Sequence, residues 1–321
     1  MPSPSSPPVV AAEVREVTMP LRRPFVTGFG ATDTRRVVLV HLVDGDGAEG
    51  WGEVAPLDHP FYLPDTTSSA YTVVVEWALP MALAAGPDPA AVAAAMAPIR
   101  GNTFARAGVE AAFWCLAAAR RGACLADLFA RSSRLSGRRR PAVPTGESIG
   151  IHPSVDATVE EVLRRLQEGY RRVKLKVQPG WDVELVAAVR RAIGPNVALQ
   201  VDANASYTEA DTHRLVALDG YRLACIEQPL AWDDLDAHAA LQGRLSTPVC
   251  LDESLRSPAD VRRALDKRAC RSVNLKPGRV GGITASLAIH DMCVDAGVDL
   301  WCGGMLESGI GRSFNIALAS L

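Results

Sequence analysis

Short apolar runs recur along the second half of the chain at a nearly constant interval. They predict β-strands over residues 147–151, 173–177, 198–202, 223–227, 249–253, 272–276 and 298–302. Amphipathic helical segments lie between them, so the strand-and-helix unit repeats about every 25 residues. Seven such units favour a (β/α) barrel over an open doubly wound sheet. The absence of a glycine-rich phosphate turn after the first run also argues against the open sheet.

The first half of the chain has a different pattern. Alternating apolar positions over residues 9–54, with a turn at 44–47, predict an antiparallel meander. Alanine-rich helical periodicity follows over 67–129, and Gly122 is expected to end its longest helix. The predicted organisation is a disordered tail over 1–8, an α+β domain over 9–130 and the barrel over 141–321, with the last strand of the barrel missing from the sequence.

Composition indicates a globular protein that acts on a small molecule. Hydrophobic residues make up 48% of the chain and charged residues 22%, which is enough apolar material for a large core. A formal net charge of -2 without a long basic run argues against nucleic-acid and membrane partners. The seven cysteines lack C-x-x-C spacing, and no signal peptide or membrane-spanning run is recognisable. We therefore expect a cytoplasmic protein with reduced cysteines.

Polar residues lie at the carboxyl ends of the predicted strands, at the same position in successive repeats. In the run V-K-L-K-V, period-two alternation directs both lysines to one face of the strand. An isolated pair of this kind is usually solvated, but the active site of a barrel lies at the carboxyl ends of its strands. The residues expected there are Lys174, Lys176, Asp202, Asn204, Glu227, Asp252, Glu253 and Lys276.

Three of these residues are candidate metal ligands. Asp202, Glu227 and Asp252 would meet at the barrel mouth, where close carboxylates need a cation among them. Oxygen-only ligands favour Mg²⁺ before Mn²⁺, while the alternative is that the carboxylates cap the helices that follow. Lys176 and Lys276 would then flank the ion as base and as acid or cation in the removal of an α-proton, and Lys174 would orient Lys176.

Six segments together resemble a known family. RRVKLKVQPGWDVE, LQVDANASYT, IEQPL, CLDES, VNLKPGRVGG and WCGGMLESGIGR are similar to the o-succinylbenzoate synthase / N-acylamino acid racemase family, in the muconate-lactonising subgroup of the enolase superfamily. The resemblance runs from about Met19 to Leu321. It implies an α/β fold, a modified (β/α)7β TIM-like barrel under an N-terminal α+β capping domain, truncated here at its C-terminal end. It also implies Mg²⁺ on the three carboxylates and catalysis by Lys176 and Lys276.

The resemblance implies further site residues. Asn204, Glu253 and Arg279 match supporting positions. Loops 25–30 and 56–62 would close over the substrate. The residues expected to line the pocket are Phe25, Ser148, Gly304, Met305, Glu307 and Ser308, for which ordinary packing is an equal alternative.

Within the family the activity favoured is synthesis of o-succinylbenzoate, a step in menaquinone biosynthesis. Lys176 would remove the α-proton of 2-succinyl-6-hydroxy-2,4-cyclohexadiene-1-carboxylate, and Lys276 would face the enediolate as a cation. The alternatives are an N-succinylamino acid racemase, in which both lysines exchange protons, a dual-activity enzyme, a dipeptide epimerase, a muconate-type cycloisomerase and an inactive fragment. A mandelate-racemase-like enzyme is disfavoured because no histidine ends the seventh strand. The expected partner is a small-molecule carboxylate substrate. The sequence leaves undecided whether the protein forms a homo-oligomer.

Overall fold

The computed structural model describes residues 7–27, 30–134 and 139–321, and these residues fold around two β-sheets. Three antiparallel strands form the first sheet, and seven parallel strands form the second. Each sheet lies against its own hydrophobic cluster, and the helical segment over residues 103–129 contributes side chains to both clusters. Within the described residues, no helix is both long and apolar enough to cross a membrane.

The first sheet has the antiparallel form expected for residues 9–54. Its strands lie in chain order and are β1 (Val9–Thr27), β2 (Gly30–Asp44) and β3 (Glu49–Val54). Asp44 stabilises the turn between β2 and β3, because its carboxylate accepts hydrogen bonds from the N–H groups of Asp46 and Ala48. The turn sets the register in which β3 returns along β2.

The chain just before β1 differs from the predicted disordered tail. Residues 1–6 of that tail lie outside the described residues. Pro7 and Pro8 do not behave as a tail, because the Pro8 carbonyl accepts a hydrogen bond from the Gly45 N–H at 3.0 Å. The Pro7 carbonyl accepts another from the Arg120 guanidinium. Proline has no N–H, so these carbonyls provide the anchoring that the sequence pattern did not indicate.

The alanine-rich segment forms the helices of the capping domain. They are α1 (Thr67–Val73), a π-helical turn (Val74–Ala78), α2 (Leu79–Ala85), α3 (Pro89–Ala95), α4 (Thr103–Arg120) and α5 (Leu125–Ser132). The expected role of Gly122 is confirmed, since it adopts a left-handed φ of 55° just after α4. Its N–H and that of Ala123 donate to the carbonyls of Ala119 and Ala118, which closes the helix end.

The second sheet contains all seven predicted strands, with bounds that differ by at most two residues. The strands are β4 (Gly146–Ile149), β5 (Arg172–Lys176), β6 (Ala198–Asp202), β7 (Cys225–Glu227), β8 (Val249–Leu251), β9 (Ser272–Leu275) and β10 (Asp299–Cys302). Their spatial order follows the chain order, so the sheet curls into a half-barrel with β4 and β10 at its edges. The predicted α/β barrel architecture is confirmed to this extent.

One or two helices follow each strand of the half-barrel along the chain. They are α6 (Val155–Gln167), α7 (Val183–Ile193), α8 (Thr212–Leu218), α9 (Leu235–Gln242), α10 (Pro258–Asp266), α11 (Pro277–Val280), α12 (Ile283–Ala296) and α13 (Gly309–Ala319), with 3₁₀ turns at Glu209–Asp211 and Asp219–Tyr221. Several begin directly after a serine or aspartate whose side chain accepts a backbone hydrogen bond, namely Ser154, Asp182, Asp234, Ser257 and Ser308. These caps fix where each loop at the carboxyl end of the sheet stops.

Candidate active site

The predicted strand-end residues come together beside a cavity of about 500 Å³. The register of the parallel strands pairs Lys176 with Asp202 and Asp202 with Glu227. Asp252 directly follows β8, and Lys276 directly follows β9. Paired residues of a sheet point to the same face, so these side chains share the interior of the half-barrel. All five are buried.

The two lysines of β5 hold the carboxylates of the neighbouring strands. The Lys174 Nζ lies 2.8 Å from Glu227 Oε2 and 3.0 Å from Asp202 Oδ2. The Lys176 Nζ donates to Asp202 Oδ2 at 2.8 Å and to Asn204 Oδ1 at 2.6 Å. Both ammonium groups therefore face inward. They are not solvated on the surface, as an isolated pair of lysines usually is.

A second group of contacts surrounds Lys276 across the half-barrel. Its Nζ donates to Asp252 Oδ2 at 2.8 Å. The guanidinium of the fully buried Arg279 forms an ion pair with the other oxygen of Asp252 and donates to the Leu255 carbonyl at 2.6 Å. Arg279 and Lys276 therefore contact the same carboxylate. A change at Arg279 can alter the position of both Asp252 and Lys276.

Tyr62 is a site residue that the strand pattern did not reveal. Its hydroxyl donates to Asp252 Oδ1 at 2.9 Å and accepts hydrogen bonds from Lys276 Nζ at 3.0 Å and from Arg279 at 3.2 Å. Tyr62 comes from the loop after β3, so the capping domain contributes directly to the cluster. Only the loop 56–62 as a whole was expected near the substrate.

Replacing Tyr62 with phenylalanine should weaken this cluster. We expect Tyr62→Phe to lower the free energy of unfolding by about 1 kcal/mol, because a buried hydroxyl with several partners is removed. We also expect kcat to fall about tenfold, because the orientation of Lys276 is less restricted. Thermal melts and turnover measure both effects, with Tyr71→Phe on the exposed face of α1 as the control. Equal behaviour of the two variants would contradict a role for the Tyr62 hydroxyl.

Two residues close to the predicted metal ligands have a strained backbone. Asn204 and Gln228 have left-handed φ values of 43° and 37°, which are costly for residues other than glycine. The Gln228 Oε1 accepts the Asp252 N–H at 3.0 Å and so joins the ends of β7 and β8. The Asn204 side chain donates to Glu253 Oε1 at 3.0 Å, and its N–H donates to Asp202 at 3.0 Å. The strained turns thus orient the carboxylates.

The charges of the cluster stabilise one another. Burial disfavours the ammonium form of Lys174, but the carboxylates of Asp202 and Glu227 outweigh burial and raise the pKa of Lys174. Burial opposes ionisation of Asp202, yet Lys174 and Lys176 hold the pKa of Asp202 well below its usual range. Burial also opposes the charge on Lys276, and the surrounding phenol and carboxylates nevertheless raise its pKa. In this arrangement ammonium groups compensate the carboxylates.

The predicted ligands fit a hard divalent cation by their chemistry. Among the residues that the structure describes, no three acidic, histidine or cysteine side chains are arranged to hold a metal ion. Asp202, Glu227 and Asp252 instead turn their oxygens toward lysine and arginine. All three are carboxylates, fully or almost fully buried at adjacent strand ends, which is the oxygen-only donor set that Mg²⁺ prefers. Binding of the ion requires these side chains to turn from their present partners.

Four of the six predicted pocket residues line the cavity, namely Phe25, Ser148, Gly304 and Met305. Leu57, His59 and Tyr62 line its capping-domain side, in agreement with the expectation for loop 56–62. Residues 28 and 29 of the other expected loop lie outside the described residues.

Glu307 and Ser308 do not line the cavity, contrary to expectation. Glu307 accepts a hydrogen bond from Asn315 at 2.9 Å and lies 3.0 Å from the Arg312 guanidinium. Ser308 is the N-cap of α13, and its N–H donates to Glu53 at 2.8 Å. The physical reason is that α13 begins here, so its first turn uses these polar groups.

Two family models match the chain. The model described as mandelate racemase / muconate lactonizing enzyme, N-terminal domain, matches residues 9–130. The model described as enolase C-terminal domain-like matches residues 157–321. The first match contains the three-stranded sheet, and the second contains β5 to β10 and every lysine of the cluster.

Similar proteins carry two activity names. The o-succinylbenzoate synthase of Geobacillus kaustophilus is 45% identical over 310 residues, which cover 96% of this chain and 80% of that protein. The N-succinylamino acid racemase of Thermus thermophilus is 45% identical over 314 residues, which cover 98% and 83%. The synthase activity favoured from the sequence and the racemase alternative are therefore both represented among similar proteins.

Two solved structures align closely with this chain. A member of the enolase superfamily from Listeria innocua aligns with a TM-score of 0.90 at 37% identity, covering 96% of this chain and 81% of that chain. The muconate lactonizing enzyme of Pseudomonas fluorescens aligns with a TM-score of 0.90 at 26% identity, covering 98% and 85%. The muconate lactonizing enzyme thus shares this fold, although its name differs from the two activity names of the similar sequences.

Proposed function

Because the chain belongs to the mandelate racemase / muconate lactonizing enzyme family of the enolase superfamily, we propose that it is a Mg²⁺-dependent o-succinylbenzoate synthase. The reaction is the dehydration of 2-succinyl-6-hydroxy-2,4-cyclohexadiene-1-carboxylate. The observation that carries the proposal is the disposition of two buried lysines. Lys176 on β5 and Lys276 after β9 flank the three strands that carry Asp202, Glu227 and Asp252.

Each residue has a distinct part in this proposal. Lys176 removes the α-proton, for which its Nζ must be released from Asp202, and the ammonium group so formed then gives a proton to the departing hydroxyl group, which leaves as water. Lys276 provides positive charge on the opposite side of the carboxylate-bearing strands. Asp202, Glu227 and Asp252 would hold Mg²⁺, which when bound supplies charge that stabilises the substrate carboxylate as the proton leaves. The residues that orient this set are Lys174, Asn204, Glu253, Arg279 and Tyr62.

The charge of the cluster supports a negatively charged substrate. Its four basic side chains and four acidic side chains balance formally, and they are Lys174, Lys176, Lys276, Arg279, Asp202, Glu227, Asp252 and Glu253. With Lys176 neutral, as its role as the base requires, a bound divalent ion would leave a net positive charge in a buried site, where it needs compensation. The cyclohexadiene substrate and N-succinylamino acids each carry two carboxylates, whereas a dipeptide carries both charges of a zwitterion. The balance therefore disfavours a dipeptide epimerase.

Racemisation of N-succinylamino acids is the second candidate. The two lysines have matching environments, since each Nζ lies 2.8 Å from an aspartate oxygen of a neighbouring strand end. Racemisation needs an acid/base group on each face of the α-carbon, and this near-symmetry supports it. A single protein with both activities would use Lys276 as a cation in one reaction and as a proton carrier in the other.

Activity assays on purified protein with Mg²⁺ test the proposal. Ultraviolet absorbance follows dehydration of the cyclohexadiene substrate, and optical rotation follows racemisation of N-succinylamino acids. Dehydration with the higher kcat/KM would support the synthase. Racemisation with the higher kcat/KM would replace it with the second candidate, and folded, Mg²⁺-binding protein that is inactive in both assays would refute both.

Removal of the metal should abolish activity and lower stability. We expect protein treated with EDTA to lose turnover, and excess Mg²⁺ to restore it. A ligand that binds only the folded state raises the melting temperature, so saturating Mg²⁺ should raise it as well. Asp252→Asn should reduce the rise in melting temperature, with Asp299→Asn on the exposed end of β10 as the control. Full activity in EDTA would contradict the assignment of these carboxylates.

A further inference from the structure

The loop after β10 forms one wall of the cavity without regular structure of its own. Residues 303–308, called the strap below, connect β10 to α13. Gly303 to Leu306 line the cavity, and the Met305 side chain is buried in the hydrophobic cluster of the capping domain. Leu306 has a left-handed φ of 59°, which needs support from neighbouring groups. The strap thus lies between the reaction centre and the capping sheet.

Glu53 of the capping sheet holds the C-terminal end of the strap. This buried carboxylate on β3 accepts the Ser308 N–H at 2.8 Å, the Gly311 N–H at 2.8 Å and the Ser308 hydroxyl. Ser308 is the N-cap of α13 and Gly311 lies in its first turn, where N–H groups lack helical partners and a negative charge is favourable. The acceptor for these groups therefore comes from another domain.

The packing around Glu53 leaves it little freedom. A Cβ atom on Gly52 would lie 2.0 Å from the Gly108 carbonyl, so β3 is in direct contact with α4. A Cβ atom on Gly311 would lie 3.0 Å from the Glu53 carboxylate, so a side chain there would crowd the contact. The strand, the carboxylate and the first turn of α13 are consequently fixed relative to one another.

Arg35 of the same sheet holds the middle of the strap. This arginine on β2 is 1% exposed, and its guanidinium donates to the carbonyls of Met305 and Ala55 at 3.1 Å each. Burial of this cation is costly and lowers the pKa of Arg35, and the carboxylates of Asp58, Glu307 and Glu53 offset only part of that effect. The capping sheet therefore contacts the strap at two points of opposite charge.

We propose that Glu53 and Arg35 are positioning residues that fix the strap as a wall of the substrate cavity. Neither side chain has a hydrogen bond or ion pair to Lys176, Lys276 or the candidate metal ligands in the interactions resolved for the described residues. Their effect is on the fit of the substrate more than on proton transfer, so KM should change more than kcat. The part of this inference that concerns substrate rests on the proposed function.

The variant Glu53→Gln tests the inference, with Glu49→Gln as the matched control at the exposed start of the same strand. The amide keeps the size of the side chain but lacks the charge and one of the two acceptor oxygens. We expect KM of the Mg²⁺-loaded enzyme to rise about tenfold for the better substrate, with kcat changed less than about threefold. Amide exchange over residues 303–313 should become faster, and α12 should keep its protection. Glu49→Gln should match the unmodified protein.

Three outcomes would overturn the inference. The first is unchanged KM and unchanged exchange in Glu53→Gln, and the second is faster exchange across all of α12 and α13, which would indicate a purely structural role. The third is a fall in kcat at constant KM. If Glu53→Gln does not fold, Ser308→Ala removes only the hydroxyl contact and should give a smaller change of KM in the same direction. Amide exchange tests whether Glu53 holds the strap even if neither substrate is turned over. A failure of this inference can therefore be distinguished from a failure of the proposed function.

Discussion

Lys176→Ala should lower kcat/KM for both dehydration and racemisation by at least about 10³-fold, because the substitution removes the group that takes the α-proton. The fold should survive, since Lys174 remains 3.0 Å from Asp202 and still compensates its charge. Mg²⁺ affinity, measured by calorimetry, should not fall, because Lys176 competes with the ion for Asp202. The measurement is kcat/KM for both substrates beside a Mg²⁺ titration.

The control for this variant is Lys267→Ala, which removes a surface lysine that forms an ion pair with Asp236. It should keep the activity of the unmodified protein. A Lys176→Ala protein that binds Mg²⁺ and retains more than about a tenth of its dehydration activity would contradict the assignment of the base.

Lys276→Ala should separate the two activities. Racemisation needs a proton carrier on each face of the α-carbon, so we expect it to fall by at least about 10³-fold. Dehydration needs only the positive charge of Lys276, and loss of such charge stabilisation should lower it by about 10²-fold. The ratio of the two rates, measured on one preparation, reports the difference directly.

The variant Lys276→Arg separates the effect of the charge at residue 276 from the effect of proton exchange. Arginine keeps the charge near Asp252 but does not exchange protons at neutral pH. We expect it to recover part of the dehydration activity and none of the racemisation activity. Equal losses of both activities in the alanine and arginine variants would contradict the different parts given to Lys276.

The strand-end residues were predictable because two periodicities coincide. Alternation within V-K-L-K-V fixed the face of Lys174 and Lys176, and the repeat of about 25 residues fixed which residues would share the mouth of the half-barrel. Their contacts with Asp202 and Glu227 confirm that both lysines face inward. The catalytic role of the lysines and the assignment of the three carboxylates as metal ligands stay predictions, since the carboxylates are paired here with lysines and arginine.

Contacts between the two domains were not predictable in this way. Tyr62 belongs to a loop without periodicity, and its partner Asp252 lies 190 residues further along the chain. Glu307 and Ser308 were expected at the cavity because the family resemblance implied it. The start of α13 instead directs Ser308 to Glu53, a residue that the sequence pattern identified only as part of β3. Such pairings depend on how the domains dock, which local patterns do not encode.

Exchange of the α-proton in D₂O tests the central claim that two lysines act from opposite faces of the substrate. The substrates are the separate L and D enantiomers of an N-succinylamino acid, and proton NMR follows loss of the α-proton in the presence of Mg²⁺. The unmodified protein should exchange both enantiomers, and Lys176→Ala and Lys276→Ala should each exchange only one, opposite to the other. Loss of exchange from the same enantiomer in both variants, or from neither, would contradict the account.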